Sequence, residues 1–130
     1  MTNKISSSEA LQRALYTHLS EDYPVRDTLH TSYPFILIGG ETVLPADTKT
    51  DKMWRHMLTL HAYSKGESSE ENKQMVAYIQ DKIENGLTVM GYNVLLTTPE
   101  FTQQLIENYT DGKVYHGVLE YALLLKEEND

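Results

Sequence analysis

Any reactive chemistry in this chain must come from histidines, carboxylates, serines and lysines. Its 130 residues hold five histidines and nineteen acidic side chains but no cysteine. The missing thiol excludes a disulfide scaffold, a thiolate nucleophile and cysteine-based zinc or iron–sulfur sites. Histidines are the next resource. His56 and His61 lie an odd number of residues apart in one extended run, so they face opposite sides and cannot share an ion. His116 and Glu120 share a face, yet at the rise of a strand they sit about 13 Å apart. The histidines therefore read as structural or surface residues, and no metal or other cofactor is expected.

Asp47-Thr48-Lys49 has the acid-x-Lys spacing of some metal-dependent nucleases, which makes a small Mg²⁺-dependent nuclease using Asp47 and Lys49 the alternative function. That chemistry needs a second carboxylate on a neighbouring strand and a rigid setting. The sequence instead places the motif in a polar loop. Gly39-Gly40-Glu41 follows an apolar run as a phosphate-binding turn would, but the Lys-Ser/Thr of a P-loop is missing and no helix follows. There is no Gly-x-Ser-x-Gly, and the serines cluster where helices would be capped.

The elements that would position these residues can be read from capping and periodicity. Ser6 and Glu9 form a capping box, after which Ala10, Leu11, Ala14, Leu15 and Leu19 recur on one helical face opposite Gln12, Arg13 and Thr17. Glu21-Asp22-Tyr23-Pro24 ends that helix, and 21–33 reads as irregular. Residues 34–39 form a strand buried on both faces. Residues 40–51 then read as a long connection, expected to be a mobile loop with a functional role. Over 52–63, Trp54, His56, Leu58, Leu60 and Ala62 alternate with Met53, Arg55, Met57, Thr59, His61 and Tyr63, the pattern of a long strand.

A second capping box, Ser68 with Glu71, opens a helix whose apolar face is Met75, Val76, Ile79 and Ile83. Asn72, Lys73, Gln80 and Glu84 are assigned to its solvent face, and Asn85-Gly86 ends it. Residues 87–98 read as a strand broken at Met90-Gly91. Residues 99–110 fit either a helix or a strand; strand is preferred, because Asp111-Gly112 is a hairpin turn. Residues 114–125 form a final strand with Tyr115, Leu119, Tyr121, Leu123 and Leu125 on one face. Residues 126–130 form a charged, frayed tail. The predicted fold is α+β, one domain over 1–130, with two helices on one face of a mainly antiparallel sheet of four to five strands. The opposite sheet face mixes Met53, Met57, Tyr63, Val118, Ala122 and Leu124 with Arg55, Thr59, His61 and Glu120. Such a face either meets a partner or lies under residues 99–110.

Composition narrows the function classes further. Eleven basic against nineteen acidic residues give a formal charge of −8, too acidic for a dedicated nucleic-acid clamp. The longest apolar runs, 35–38 and 121–125, are far short of a membrane span, and no export signal opens the chain, so a cytoplasm is the expected site of synthesis.

Four segments carry a family resemblance: Ala10-Leu11-Gln12-Arg13-Ala14-Leu15, Tyr33-Pro34-Phe35-Ile36-Leu37-Ile38-Gly39, Met57-Leu58-Thr59-Leu60-His61-Ala62-Tyr63-Ser64, and Asp111-Gly112-Lys113-Val114-Tyr115-His116-Gly117-Val118-Leu119-Glu120-Tyr121. Together they resemble the tail-completion, or tail-to-head joining, proteins of long-tailed siphophages, which are similar in role to the phage lambda tail terminator. The resemblance implies a non-enzymatic virion protein that caps the finished tail tube and joins it to the head connector. It implies a homo-oligomer, a six-fold ring at the head–tail interface, assembled in the host cytoplasm from chains that can be monomeric when free. Such a ring needs two different patches on each subunit. The expected interaction residues are Glu41, Asp47, Lys49, Asp51, Lys52, Met53, Arg55 and Met57. Six chains would carry about six times −8, or −48, so DNA would pass through the ring without specific binding.

Overall fold

Two helices form where the capping and apolar spacing require them. The structure, a computed structural model, describes residues 5–28 and 32–128. Helix α1 spans Ser7–Leu19, and the Ser6 hydroxyl at its N-cap accepts the Glu9 N–H at 3.1 Å. Glu9 does not return to Ser6; its carboxylate accepts from Arg13 at 2.6 Å, one turn on. The predicted stripe Ala10, Leu11, Ala14, Leu15 and Leu19 is buried throughout. Helix α2 spans Glu70–Glu84 and starts later than the Ser68–Glu71 box implied. Ser68 accepts from Glu70 N–H at 3.1 Å, while Ser69 occupies the cap without a side-chain bond.

Five strands form one sheet: β1 Val25–Arg26, β2 Phe35–Pro45, β3 Met53–Lys65, β4 Tyr92–Tyr109 and β5 Gly112–Glu127. Their spatial order is β1-β2-β3-β5-β4. Only β1 with β2 is parallel; the other three pairings are antiparallel. The α+β class and the helical layer agree with the sequence. Several boundaries do not. The region 21–33 contains a strand, because Val25 is buried and pairs with Ile36.

The expected connection over 40–51 is shorter, because β2 continues to Pro45. The two glycines do not end the strand but form an irregularity within it, the register shifting between Ile38 and Glu41. Gly39 serves close approach: a Cβ there would stand 2.8 Å from the Thr59 carbonyl oxygen and 2.8 Å from His61 Nε2. Residues 99–109 are strand, joined with 92–98 into a single β4 of 18 residues, and Thr110 lies in the turn that follows. The earlier segment 87–91 is a turn, held by the isolated bridge Val89–Tyr92. At the C-terminus, Lys126 and Glu127 are not frayed but pair with Met53 and Tyr92, while Asn129 and Asp130 lie outside the described residues.

The core lies between the helices and one sheet face. Trp54, His56, Leu58, Leu60 and Ala62 face the helices, as their alternation predicted, and meet Leu119, Tyr121, Leu123 and Leu125. Asn72 is the main correction here: it is fully buried, not solvent-facing. Its amide donates to the Ala62 carbonyl at 2.9 Å and the Tyr115 carbonyl at 3.0 Å, and its oxygen accepts from Gln104 at 3.1 Å. One side chain thus clasps α2 to three strands, and both polar atoms of its buried amide are satisfied.

Candidate interaction surface

No helix covers the second face of the sheet among the described residues. Residues 99–110, which could have folded over it, instead widen the sheet as β4. Register places Leu44, Arg55, Leu124 and Leu96 side by side across four strands, with Met57 and Ala122 in the next row. Leu44 is 45% exposed, Leu96 52% and Phe101 46%. An apolar face of this breadth, interleaved with Arg55, Lys126 and Glu120, is the composition of a contact surface.

The eight expected interaction residues divide between three places. Met53, Arg55 and Met57 lie on this open face, although Met53 is buried to 8% exposure. Asp47, Lys49, Asp51 and Lys52 lie in the connection 46–52 between β2 and β3. That connection is braced internally: Asp47 accepts the Met53 N–H at 3.0 Å, Thr48 N–H donates to the Asp51 carbonyl at 3.0 Å, and Asp51 meets Lys126 at 3.5 Å. Lys52 sits 5.6 Å over the Trp54 ring. For the nuclease alternative, the Asp47 carboxylate is occupied by a backbone N–H, and among the described residues no group of three His, Asp or Glu could hold a metal ion.

Glu41 is elsewhere. It faces the helices and accepts from His56 Nδ1 at 2.8 Å and from the Ser8 hydroxyl, while His56 Nε2 bonds the Ser7 hydroxyl at 2.9 Å. Hydroxyl, imidazole and carboxylate in this sequence are the parts of an acyl-transfer relay. Here Ser7 is 5% exposed and His56 fully buried, so the hydroxyl meets no substrate and the relay ties α1 to β2 and β3. Burial pushes the Glu41 carboxyl up, but the hydrogen bonds from His56 and Ser8 outweigh it and hold it below the ordinary carboxylate range. No local pattern announces this contact, because Ser7 and His56 are separated by 49 positions.

The open face carries a second group that spacing could not reveal. His61 Nδ1 and His116 Nε2 are 2.7 Å apart, joined across β3 and β5. His116 stacks on Tyr63 with centroids 4.2 Å apart, Tyr63 on Phe35 at 4.9 Å, and Phe35 meets Tyr33 at 5.5 Å. Burial holds both imidazoles below the ordinary histidine range. His116 adds to the effect on His61, while Glu107, 3.7 Å away, draws His116 part of the way back. The unfolded chain therefore binds protons here that the folded chain refuses, and stability rises with pH through that window. The melting temperature is expected to fall as pH drops below about 6.5, the ordinary histidine value. The double variant His61→Gln, His116→Gln should show a flatter decline between pH 7 and 5; an unchanged slope would show that other groups set it.

Comparison with known proteins follows the same lines. A chain from the virion of a native gene transfer agent (GTA) particle superposes with a TM-score of 0.73, covering 95% of this chain and 99% of that one. At 16% identity this shows a shared fold. No curated protein matches the chain. The family model for tail completion protein gp17 matches residues 4–126, from before the first helix to the last residue but one of the final strand. With that match running through both helices and all five strands, the chain belongs to the gp17 family of tail completion proteins.

Proposed function

We propose that the chain caps the completed tail tube and joins it to the head connector, acting through protein contacts and without a catalytic step. The observation that carries this reading is the family match over residues 4–126. The shared fold with a chain of a gene transfer agent virion supports a place in the particle; the place proposed is the head–tail interface, reached after assembly in the host cytoplasm. The copies act as a homo-oligomeric ring, six-fold by the family resemblance, with the tail tube protein on one side and the connector or head-completion protein on the other. The open sheet face around Arg55 and Met57, together with the connection at Asp47, Lys49, Asp51 and Lys52, is the docking surface; Glu41 supports it from beneath through His56. A formal charge of −8 per chain repels passing DNA and leaves it unbound.

Tails assembled with and without this chain, viewed by negative-stain microscopy, test the reading. Without it, tails should fail to carry heads, and adding the purified chain back should restore joining. Headed tails at the same frequency in both preparations would overturn it.

A further inference from the structure

Both outer edges of the sheet offer backbone groups for pairing. β4 is the last strand on one side, and beyond Tyr92, which the turn residue Val89 bridges, no described strand pairs with its outer edge. Irregularities near Leu95 and Glu100, with Pro99 between them, interrupt its first half. From 101 to 109 the pairing with β5 is continuous, and that stretch has no proline, lysine or bulge. Those are the devices that ordinarily stop an edge from recruiting another strand. It also exposes Leu105 by 40% and Ile106 by 60%. On the other side, β1 covers β2 only at Ile36 and Leu37, so residues 41–45 have no strand beyond them among the described residues.

The two edges differ in charge. Residues 92–109 contain Glu100 and Glu107 and no basic residue, whereas around the β2–β3 hairpin Lys49, Lys52 and Arg55 balance Glu41, Asp47 and Asp51. A pairing of β4 with β4 would set the acidic edges against each other. A pairing of β4 with β2 sets Leu44 beside Leu105 on the open face, and brings Arg55 one strand beyond, with its backbone about 10 Å from Leu105 and about 12 Å from Glu107, a gap that two long side chains can narrow to a Debye length. The overlap, residues 41–45, is about 17 Å of strand.

We infer that copies of this chain join head to tail by strand addition, the outer edge of β4 over 101–109 taking the outer edge of β2 over 41–45 of the next copy. The inference rests on the ring assembly proposed above and names its interface. Because the edges differ, a dimer leaves one of each unpaired, and only a ring or a filament uses them all.

The absence of cysteine provides the test. Paired strands hold facing Cα atoms 4.5–5.5 Å apart, within disulfide reach. Leu44→Cys with Leu105→Cys, and Leu44→Cys with Gln103→Cys to cover a two-residue slip, would be oxidised at high protein concentration and resolved on a non-reducing gel. At least one double variant should give a ladder beyond the dimer, while Leu44→Cys mixed with Leu105→Cys should stop at the heterodimer. Double variants that stop at monomer or dimer would overturn the inference. Probing assembled tails for the chain keeps the two readings apart: a chain present in tails without a ladder sinks only the interface, and a ladder without the chain in tails sinks only the tail role.

Discussion

Gly117→Ala is expected to lower the melting temperature by roughly 10 °C, although a glycine in a strand is ordinarily improved by alanine. The usual gain is about 1 kcal/mol, from the reduced freedom of the unfolded chain. Here a Cβ would stand 2.7 Å from Val76 Cγ2 and 3.0 Å from Asn72 Oδ1, both on α2 where it crosses β5. Neither neighbour has room to yield: Val76 is 8% exposed in the core, and Asn72 is fixed by its bonds to Ala62, Tyr115 and Gln104. Overpacking costs about 1–3 kcal/mol, and this contact falls at the upper end. For a chain of this length each kcal/mol shifts melting by about 4 °C. Adding Val76→Ala removes the struck methyl, so the double variant should be less destabilised than the sum of the single ones by more than about 1 kcal/mol. Strict additivity in chemical denaturation would show that α2 does not approach β5 this closely.

That clasp shows where the sequence stopped being legible. Periodicity located α1, α2, β3 and β5, because each presents a stripe of apolar residues at a spacing only one element produces. Polarity assigns Asn72 to solvent, and nothing local distinguishes a polar residue on the surface from one that satisfies two strand carbonyls. The glycine pair reads as a strand end. In the structure Gly39 lets β2 pass close to Thr59 and His61 and the strand resumes, a property of the neighbouring strand rather than of the dipeptide. The spacing of His61 and His116 gives no hint that they meet, because their contact depends on the β3–β5 register, which sets Tyr63 opposite His116 and leaves His61 on the diagonal. The mixed character of the second sheet face was legible. Whether 99–110 covers it was not, since the same residues satisfy helical and strand spacing.

Because that face is uncovered, Arg55→Glu combined with Met57→Glu should abolish head joining while leaving the fold intact. Arg55 is exposed between Leu44 and Leu124, and Met57 is half-buried between Thr42 and Ala122, so both new carboxylates keep contact with water in the free chain. Surface changes of this kind cost little stability, with about 1 kcal/mol for the lost methionine packing. Against a docked partner the same carboxylates would be desolvated, and the favourable cation at Arg55 would be reversed. Central interface residues commonly contribute about 2 kcal/mol each, so the pair should weaken docking by about a thousand-fold. In a joining assay with purified heads and tails, headed particles should then disappear at concentrations where the unaltered chain is saturating. Lys73→Glu, on the exposed side of α2, makes a charge change of the same sign far from this face and should leave joining unchanged. Equal loss with Lys73→Glu would mean that net charge, rather than the open sheet face, governs the encounter.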